Sequence, residues 1–198
     1  MKENAFHYLQ IYSERPTDIN EHLYTLYYLV LMFRPKNVLE IGCGDGGGST
    51  MALRLGSSEV GARHYTIDIE PATHANYRVR HELGLEDGWT FVQGNSTTIG
   101  RIWNIPIDIL FLDSSHRRDD TVEEIRLFEP HVREGGLMIF HDTGMLDGVR
   151  GPILGFLENH PDYDFYDYEH NSGLGIVRKG KPLPEQIMSI FEPAMKLL

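Results

Sequence analysis

A short apolar strand that runs into a glycine-rich loop and then a helix most constrains the fold of this chain. The strand is predicted over residues 37–41, glycine fills five of the next seven positions, and a helical pattern follows over residues 49–55. Such a turn brings loop N–H groups and a helix N-terminus close to a nucleotide-like ligand. Asp68 ends the next apolar run, about where a carboxylate would meet ribose hydroxyls. The pattern therefore predicts a ligand crevice at the end of the first strand.

The glycines of the loop fit two ligand patterns. Gly42, Gly44 and Gly47 match the dinucleotide pattern G-x-G-x-x-G. Gly42, Gly44 and Gly46 match the looser pattern of S-adenosylmethionine binders, whose leading acidic position is held by Glu40. Dinucleotides carry phosphate, whereas S-adenosylmethionine carries an ammonium and a sulfonium, so an acid in the floor of the site favours the second ligand. A glycine-rich turn without any ligand is the third interpretation.

The composition indicates one acidic globular domain. The chain has 198 residues and a formal charge of −11, from 29 acidic residues against 18 Lys and Arg. A nucleic-acid partner is not expected, because such binding depends on neutralising phosphates. The longest apolar run, residues 26–33, is too short to cross a bilayer, so no membrane partner is expected. The lone cysteine, Cys43, cannot form an internal disulfide and indicates a cytoplasmic location.

Strands alternate with helices along most of the chain, which is typical of a parallel sheet with helices on both faces. Strands are predicted over residues 37–41, 64–69, 89–93, 107–112 and 136–141. Helices are predicted over residues 19–33, 49–55, 72–83, 119–131 and 149–159, the first capped by Thr17 or Asp18. Residues 162–170 and 174–178 then form an antiparallel hairpin across a tight turn. The prediction is an α/β, doubly wound, mostly parallel seven-stranded sheet with an antiparallel C-terminal hairpin.

The whole chain, residues 1–198, is predicted to form a single domain. Residues 1–35 are expected to be an N-terminal helical segment, residues 36–180 the ligand-binding core, and residues 181–198 an amphipathic terminal helix. The terminal helix is expected to pack on its own domain. A contact in a homo-oligomer is the alternative for this helix.

Two acids follow the fourth and fifth predicted strands of the core. Asp113 and Asp142 are expected at the carboxyl edge of the sheet, and they can share a divalent cation if their strands are neighbours. Such oxygen ligands suit Mg²⁺, with Mn²⁺ as an alternative, while the nearby histidines keep Zn²⁺ and Fe²⁺ open; His141 or Thr143 would supply a third ligand. His116, three residues after the first acid, is placed to take a proton from a hydroxyl. The alternative is that the acids are caps or turn residues and that His116 points to solvent.

At this point the chain resembles the class I S-adenosylmethionine-dependent methyltransferases over nearly its whole length. Residues 40–46 are similar to the first motif of that family, residues 66–71 to the second, and residues 94–96 to the Gly-Asp-Ser position after the third strand. The resemblance implies a Rossmann-like fold with S-adenosylmethionine as cofactor, its ribose on Asp68 and its adenine near Asn95. The implied cofactor-binding residues are Glu40, Gly42, Gly44, Gly46, Asp68, Asn95, Ser96 and Asp113.

Residues 113–143 resemble the metal-dependent O-methyltransferases, the branch that includes the catechol and macrolide-sugar enzymes. In that branch an acid follows the fourth strand, an acid-containing pair follows the fifth, and a base lies three residues after the first acid. Asp113, Asp142 and His116 match these positions, which implies a Mg²⁺ site on the two acids and His116 as the catalytic base. His141 departs from the Glu of the sugar enzymes, and Thr143 departs from the Asn of the catechol enzyme.

The resulting hypothesis is an S-adenosylmethionine-dependent O-methyltransferase that acts on a hydroxyl of a small molecule, assisted by a divalent metal. The methyl group would move in line from sulfonium to oxygen while His116 accepts the proton. A sugar, a phenol and a natural product all stay open as the acceptor, and residues 145–150 and the segment before the first strand are expected to set specificity. An NAD-dependent oxidoreductase and a non-catalytic S-adenosylmethionine-binding protein are the alternatives.

Overall fold

A computed structural model describes residues 2–182 of the protein, and these residues contain one seven-stranded sheet. The strands are β1 (Asn37–Ile41), β2 (Arg63–Asp68), β3 (Trp89–Gln93), β4 (Ile107–Leu112), β5 (Val132–His141), β6 (Asp164–Tyr168) and β7 (Leu174–Arg178). The helix predicted over residues 181–198 lies, apart from its first two residues, outside the described range.

The strand order across the sheet is β3-β2-β1-β4-β5-β7-β6. Neighbours among β1 to β5 are parallel, whereas β7 lies antiparallel between β5 and β6. The mostly parallel sheet and the hairpin of the last two strands are therefore confirmed. The fourth and fifth strands are neighbours, which is the condition for Asp113 and Asp142 to share one site. The insertion of β7 beside β5 leaves β6 at the edge, an order that local sequence patterns do not contain.

Helices cover both faces of the sheet. They are α1 (Lys2–Ser13), α2 (Leu23–Phe33), α3 (Ser49–Val60), α4 (Thr73–Tyr77), α5 (Ser96–Gly100), α6 (Arg118–Phe128) and α7 (Gly151–Leu157). The first three pack on one face and α6 and α7 on the other. Side chains of β4 alternate between these faces, with Ile109 and Phe111 on the first and Leu110 and Leu112 on the second. No helix in residues 2–182 is long and apolar enough to cross a membrane.

Several element ends differ from the predicted ones. α3 continues to Val60, where Gly61 in the left-handed region ends it, because packing on α2 sustains a stretch rich in poor helix formers. The helix predicted over residues 72–83 consists of α4 and a π turn at Arg78–Glu82. β5 begins at Val132, four residues before its predicted start, and the short helix α5 was not predicted.

The N-terminal segment connects its two helices through an irregular stretch. α1 ends before the Arg15-Pro16 pair, and one turn of 3-10 helix, Asn20–His22, leads into α2. The predicted cap by Thr17 or Asp18 is wrong, because no side chain caps this turn or α2. The backbone carbonyl of Asp18 instead bonds to His141, so this stretch turns toward the sheet edge.

The winding of the chain reverses between β1 and β4. α3 follows β1 and covers one face, whereas α6 follows β4 and covers the other. The loops after these two adjacent strands therefore diverge and leave a crevice at their carboxyl ends. Ligands of open α/β sheets bind in such a crevice, so this edge of the sheet is where a ligand site is expected.

Candidate active site

Two cavities open along the carboxyl edge of the sheet and meet at the glycine loop. The first has a volume of about 410 Å³ and the second of about 300 Å³, which is within the usual range for small-molecule sites. Gly42, Gly44 and Asp113 line both cavities. A ligand that fills both must therefore lie across the loop, with its middle next to the end of β4.

The glycines of the loop are required for different reasons. A Cβ on Gly42, which has a φ of +88°, would lie 1.9 Å from the backbone oxygen of Asp113, so the loop can pass β4 only without a side chain. Gly46 lines neither cavity, and a Cβ there would lie 2.5 Å from the Cα of Ala75. Gly44, with a φ of +49°, has no described atom within 4 Å of its Cβ position. This glycine therefore faces open cavity space.

The carboxylate of Glu40 lies beneath the glycine loop, away from both cavities. It accepts hydrogen bonds from Ser49 Oγ at 2.7 Å and Thr50 Oγ1 at 3.0 Å, at the start of α3. On β2, Thr66 Oγ1 donates to it at 3.0 Å and His64 Nε2 lies at 3.2 Å. The expected contact between Glu40 and the ligand does not match this position. The buried carboxylate instead ties β1, β2 and α3 together under the loop.

Asp68 lies at the end of β2 and lines the first cavity. Its Oδ2 accepts hydrogen bonds from the backbone N–H of Cys43 at 2.8 Å and of Gly44 at 3.3 Å. The carboxylate therefore holds the loop while facing the space where ribose hydroxyls were expected. Burial raises the pKa of the Cys43 thiol, so this cysteine is a small packing residue and not a nucleophile.

Asn95 begins α5 and also lines the first cavity, next to Ser96. Its Oδ1 accepts hydrogen bonds from the Thr98 N–H at 3.1 Å and from Thr97 Oγ1 at 2.6 Å, so the side chain caps the helix. With the carbonyl oxygen engaged in the cap, the amide nitrogen is the group that remains to donate to a ligand.

One wall of the first cavity is built from hydroxyls and carboxylates that meet between α5 and α6. Glu124 accepts hydrogen bonds from Ser96 Oγ at 2.6 Å and from Ser114 Oγ at 2.7 Å. Ser115 Oγ donates to Asp120 Oδ2 at 2.6 Å. Burial raises the pKa of the Glu124 carboxyl, although both hydroxyl donors oppose this. Sequence reasoning named only Ser96 here; the available signal was an acid on the apolar face of an amphipathic helix.

The N-terminal segment forms one side of the second cavity. Tyr12, Arg15 and Asp18 line it together with the glycine loop. The guanidinium of Arg15 lies 4.0 Å from the ring centroid of Tyr12, a cation–π contact that positions its charge beside the cavity. The segment was expected to shape specificity as a whole, but no local pattern singled out these residues, because their contacts with the loop are distant in sequence.

Four ionisable side chains converge where β4 and β5 end. His116 Nε2 is 3.0 Å from both Asp113 Oδ1 and Asp142 Oδ2. His141 Nδ1 is 3.3 Å from the same two oxygens. The two strands are paired and end side by side, which brings the side chains that follow them to one place. The structure thus brings together Asp113, Asp142 and His116, together with His141, one of the two residues that the sequence offered as a third ligand.

These four groups shift one another's proton affinity. Burial raises the pKa of Asp113, but hydrogen bonds from both histidines outweigh burial and lower it. The hydrogen bond with Asp113 raises the pKa of His116. Burial lowers the pKa of His141, but Asp113 and Asp142 outweigh burial and raise it to about 10. Protons on the imidazoles and a cation on the carboxylates would therefore compete for the same oxygens.

The ring of His141 is held in one orientation by the N-terminal segment. Its Nε2 lies 2.9 Å from the backbone oxygen of Asp18, which can only accept, so Nε2 carries a hydrogen and Nδ1 faces the carboxylates. Thr143 Oγ1 donates at 2.6 Å to a carboxylate on β6 and is turned away. Of the two residues expected as a third ligand, His141 is therefore the one at the cluster, and its nitrogen and the oxygens of Asp113 and Asp142 all lie within 4.8 Å of one another.

Two members of the cluster have left-handed backbones. The φ of His116 is +54° and that of Asp142 is +58°. Such a conformation costs a residue other than glycine about 1–3 kcal/mol and persists only where the surrounding structure enforces it. Two such residues in direct contact indicate a site whose geometry the fold maintains at the expense of local stability.

A comparison with known protein families covers the part of the chain that forms this site. The chain matches the model of a family described as a methyltransferase domain over residues 39–143, more than half of its length. That span begins in β1 and ends just after the cluster at β5, so it includes the glycine loop, Asp68 and all four ionisable groups. No relative was found among curated protein sequences.

Solved structures of methyltransferases share the fold. The methyltransferase PaMTH1 of Podospora anserina, bound to S-adenosylhomocysteine, has a TM-score of 0.71 at 15% identity, over 90% of this chain and 88% of that one. The O-methyltransferase of Bacillus cereus, also with S-adenosylhomocysteine, has a TM-score of 0.70 at 18% identity, over 90% of both chains. TomG of Streptomyces achromogenes, an O-methyltransferase of tomaymycin synthesis bound to S-adenosylmethionine, has a TM-score of 0.68 at 18% identity, over 82% and 81%.

Proposed function

Because the chain belongs to the methyltransferase-domain family, we propose that it transfers the methyl group of S-adenosylmethionine to a hydroxyl of a small molecule with the help of a divalent metal. The observation that carries this proposal is the position of Asp113. The residue lines both cavities at the glycine loop, and its carboxylate belongs to the four-group cluster. Methyl donor and acceptor hydroxyl would therefore meet beside one residue.

In the proposed complex the cofactor lies across the glycine loop. Its adenosine occupies the first cavity, with the ribose on Asp68, and its methionine end occupies the second. Asp45 lines the second cavity and Asp113 lines both. The Asp113 carboxylate favours an ammonium or a sulfonium and would repel the pyrophosphate of NAD. Asp45 is paired with Arg78 at 2.9 Å, and Arg15 in the same cavity suits the carboxylate of the methionine end. The charge of the crevice thus supports S-adenosylmethionine over the oxidoreductase alternative.

Asp113, Asp142 and His141 are the residues that would hold the cation. Their two carboxylates fit Mg²⁺, whereas the imidazole nitrogen shifts the preference toward Mn²⁺, Fe²⁺ or Zn²⁺. The hydrogen bond to the Asp18 carbonyl presents Nδ1 of His141 as a ligand, as a partner on the distal ring nitrogen does in metal sites. When bound, the cation would act as a Lewis acid that lowers the pKa of the acceptor hydroxyl.

His116 is the residue proposed to handle the proton. Its side chain is 30% exposed, and its Nε2 lies 3.0 Å from the carboxylates of Asp113, which lines both cavities, and Asp142. With the cation on the two carboxylates, this nitrogen would no longer donate to them and would be able to accept the hydroxyl proton. The oxygen–methyl bond forms as the methyl–sulfur bond breaks, which leaves S-adenosylhomocysteine. Alignment of the two reactants across the loop supplies the rest of the rate enhancement.

A methyl-transfer assay on sugar, phenol and natural-product hydroxyls tests the proposal. We expect transfer to at least one of these classes, loss of transfer with a chelator, and recovery with Mn²⁺ or Mg²⁺. His116→Ala should lower turnover by about 10²–10⁴-fold, since general-base catalysis contributes that much. Its affinity for S-adenosylhomocysteine, measured by calorimetry, should stay unchanged. His74→Ala, which alters an exposed histidine on α4, is the matched control and should keep full turnover.

The remaining outcomes separate the alternatives. Binding of S-adenosylmethionine without transfer to any acceptor would favour a non-catalytic binding protein. Binding of NAD in place of S-adenosylmethionine would favour an oxidoreductase. Transfer that continues unchanged after exhaustive chelation would show that the paired acids are structural, and full turnover of His116→Ala would remove it as the base.

A further inference from the structure

The wall of the first cavity between α5 and α6 presents oxygen lone pairs. Glu124 at its centre is 2% exposed, and its two oxygens accept hydrogen bonds from the hydroxyls of Ser96 and Ser114. Ser115 donates its hydroxyl hydrogen to Asp120 in the same way. These five residues come from three elements and all line the first cavity. The carboxylates therefore take up the hydroxyl hydrogens of the three serines.

The hydrogen bonds to the carboxylates limit what each serine hydroxyl can offer to a ligand. A serine hydroxyl has one hydrogen and two lone pairs. When its hydrogen is bonded to a buried carboxylate, lone pairs are all that it can offer to a ligand. A ligand edge that carries N–H groups can donate hydrogen bonds to these lone pairs. At the three serines a carbonyl oxygen would find no hydroxyl donor, and it would lie next to carboxylate charge in a partly desolvated place. The Asn95 amide at the start of α5 is a donor on this cavity, and it can meet an unprotonated ring nitrogen of the base.

We propose that Glu124 is a specificity-determining residue for the base of the cofactor. By holding Ser96 and Ser114 as hydrogen-bond acceptors, it selects a 6-amino purine, adenine, over a 6-oxo purine, hypoxanthine. This inference rests on the proposed function, because it requires S-adenosylmethionine to place its base in the first cavity. Asp68 lines the same cavity, so a ribose on that carboxylate leaves the remaining volume, including the α6 wall, to the base.

The test compares S-adenosylhomocysteine with its 6-oxo analogue, S-inosylhomocysteine, by calorimetry. The wild type should bind the 6-amino compound at least about 100-fold more tightly, since a site built for one hydrogen-bonding group strongly rejects the analogue that lacks it. In Glu124→Gln the new amide N–H₂ donates to one serine, whose hydroxyl hydrogen is then free to meet a carbonyl. The preference should fall by at least about tenfold. Glu123→Gln, its neighbour paired with Arg126, is the matched control and should keep the wild-type ratio.

Ser114→Ala and Ser96→Ala keep the test decisive if Glu124→Gln does not fold. Each removes one acceptor oxygen from the wall and leaves the carboxylate, so each should weaken S-adenosylhomocysteine binding more than S-inosylhomocysteine binding. A folded Glu124→Gln with the wild-type ratio, or a wild type that binds both compounds equally, would overturn the inference. Normal selectivity without methyl transfer would count against the proposed function alone.

Discussion

Gly42, Gly44 and Gly46 belong to one loop but have different structural roles. Gly42 avoids a clash with the backbone of β4, and Gly46 allows contact with α4. Gly44 has open space at its Cβ position and lines both cavities. Substitutions at the first two positions test the fold, whereas substitution of Gly44 tests the ligand site.

Gly44→Ala should weaken cofactor binding without disturbing the packing of the loop. The added methyl group would project into the space that the cofactor requires, so we expect the affinity for S-adenosylhomocysteine to fall by at least about tenfold. Gly61→Ala is the control, because Gly61 also has a positive φ, +74°, and no described neighbour within 4 Å, but it ends α3. Calorimetry on both variants checks the expectation. Equal affinities would show that the cofactor does not approach Gly44.

At the scale of elements, the turn before α2 is part of the site. His22 is buried there, and its Nε2 lies 3.1 Å from the backbone oxygens of both His170 and Asn171, in the turn between β6 and β7. This contact docks the N-terminal segment on the hairpin. It also keeps the carbonyl of Asp18 next to His141, whose ring orientation depends on it. An element distant in sequence thus sets the geometry of the cluster.

Acidification should destabilise the protein through His22. Burial, with the charges of His170 and His141, lowers its pKa to about 4, whereas the unfolded chain has an ordinary value near 6.5. Between these two pH values the unfolded state binds a proton that the folded state does not. Stability should therefore fall as the pH drops through this window, by about 2–3 kcal/mol, with no contribution above pH 6.5.

Urea unfolding of the wild type and of His22→Gln at pH 7.5 and pH 4.5 measures this effect. The glutamine amide retains an N–H for the two carbonyls but does not titrate. The loss of stability on acidification should therefore be smaller in the variant by about 2–3 kcal/mol. Identical losses in the two proteins would contradict the assignment of this pH dependence to His22.

At the scale of the whole molecule, the fold concentrates acids at one edge of an already acidic chain. Asp68, Asp113 and Asp142 end three parallel strands or follow them directly, on the side where the winding reverses. Helices on both faces bury the sheet below this edge, whereas the loops at the edge leave two cavities open. The crevice therefore suits ligands that carry positive charge, such as a sulfonium or a metal cation.

Metal binding should raise the stability of the whole domain. A ligand that binds only the folded state at 100 times its Kd adds about 2.7 kcal/mol, which thermal unfolding detects without any assay of activity. We expect this gain with Mn²⁺, and we expect Asp142→Asn to lose most of it. Asp147→Asn, which alters an exposed acid nearby, is the control and should retain the gain. A wild type that is not stabilised by any divalent cation would contradict the proposed metal site.

Much of the site could be predicted because its signals are local or follow from strand direction. The apolar strand before Gly42 and the glycines themselves predict the crevice, since turn chemistry depends on neighbouring residues. Asp113 and Asp142 each follow a buried strand, and parallel strands carry their carboxyl ends to one edge. His116 comes only three residues after Asp113, so the short connection keeps it close to that acid. For these residues the sequence by itself determined both element and location.

Only the tertiary structure decided which way side chains point and which distant segments meet. Glu40 lies on a predicted strand, but the burial of its carboxylate depends on the packing of α3 and β2 around it. Asp18 and His141 are 123 positions apart, and no periodic pattern encodes that contact. Nothing in the sequence shows which residue Glu124 contacts, because its hydrogen bond with Ser96 forms only when α5 packs against α6. Contacts of this kind arise from packing of the whole chain, and a pattern of neighbouring residues cannot record them.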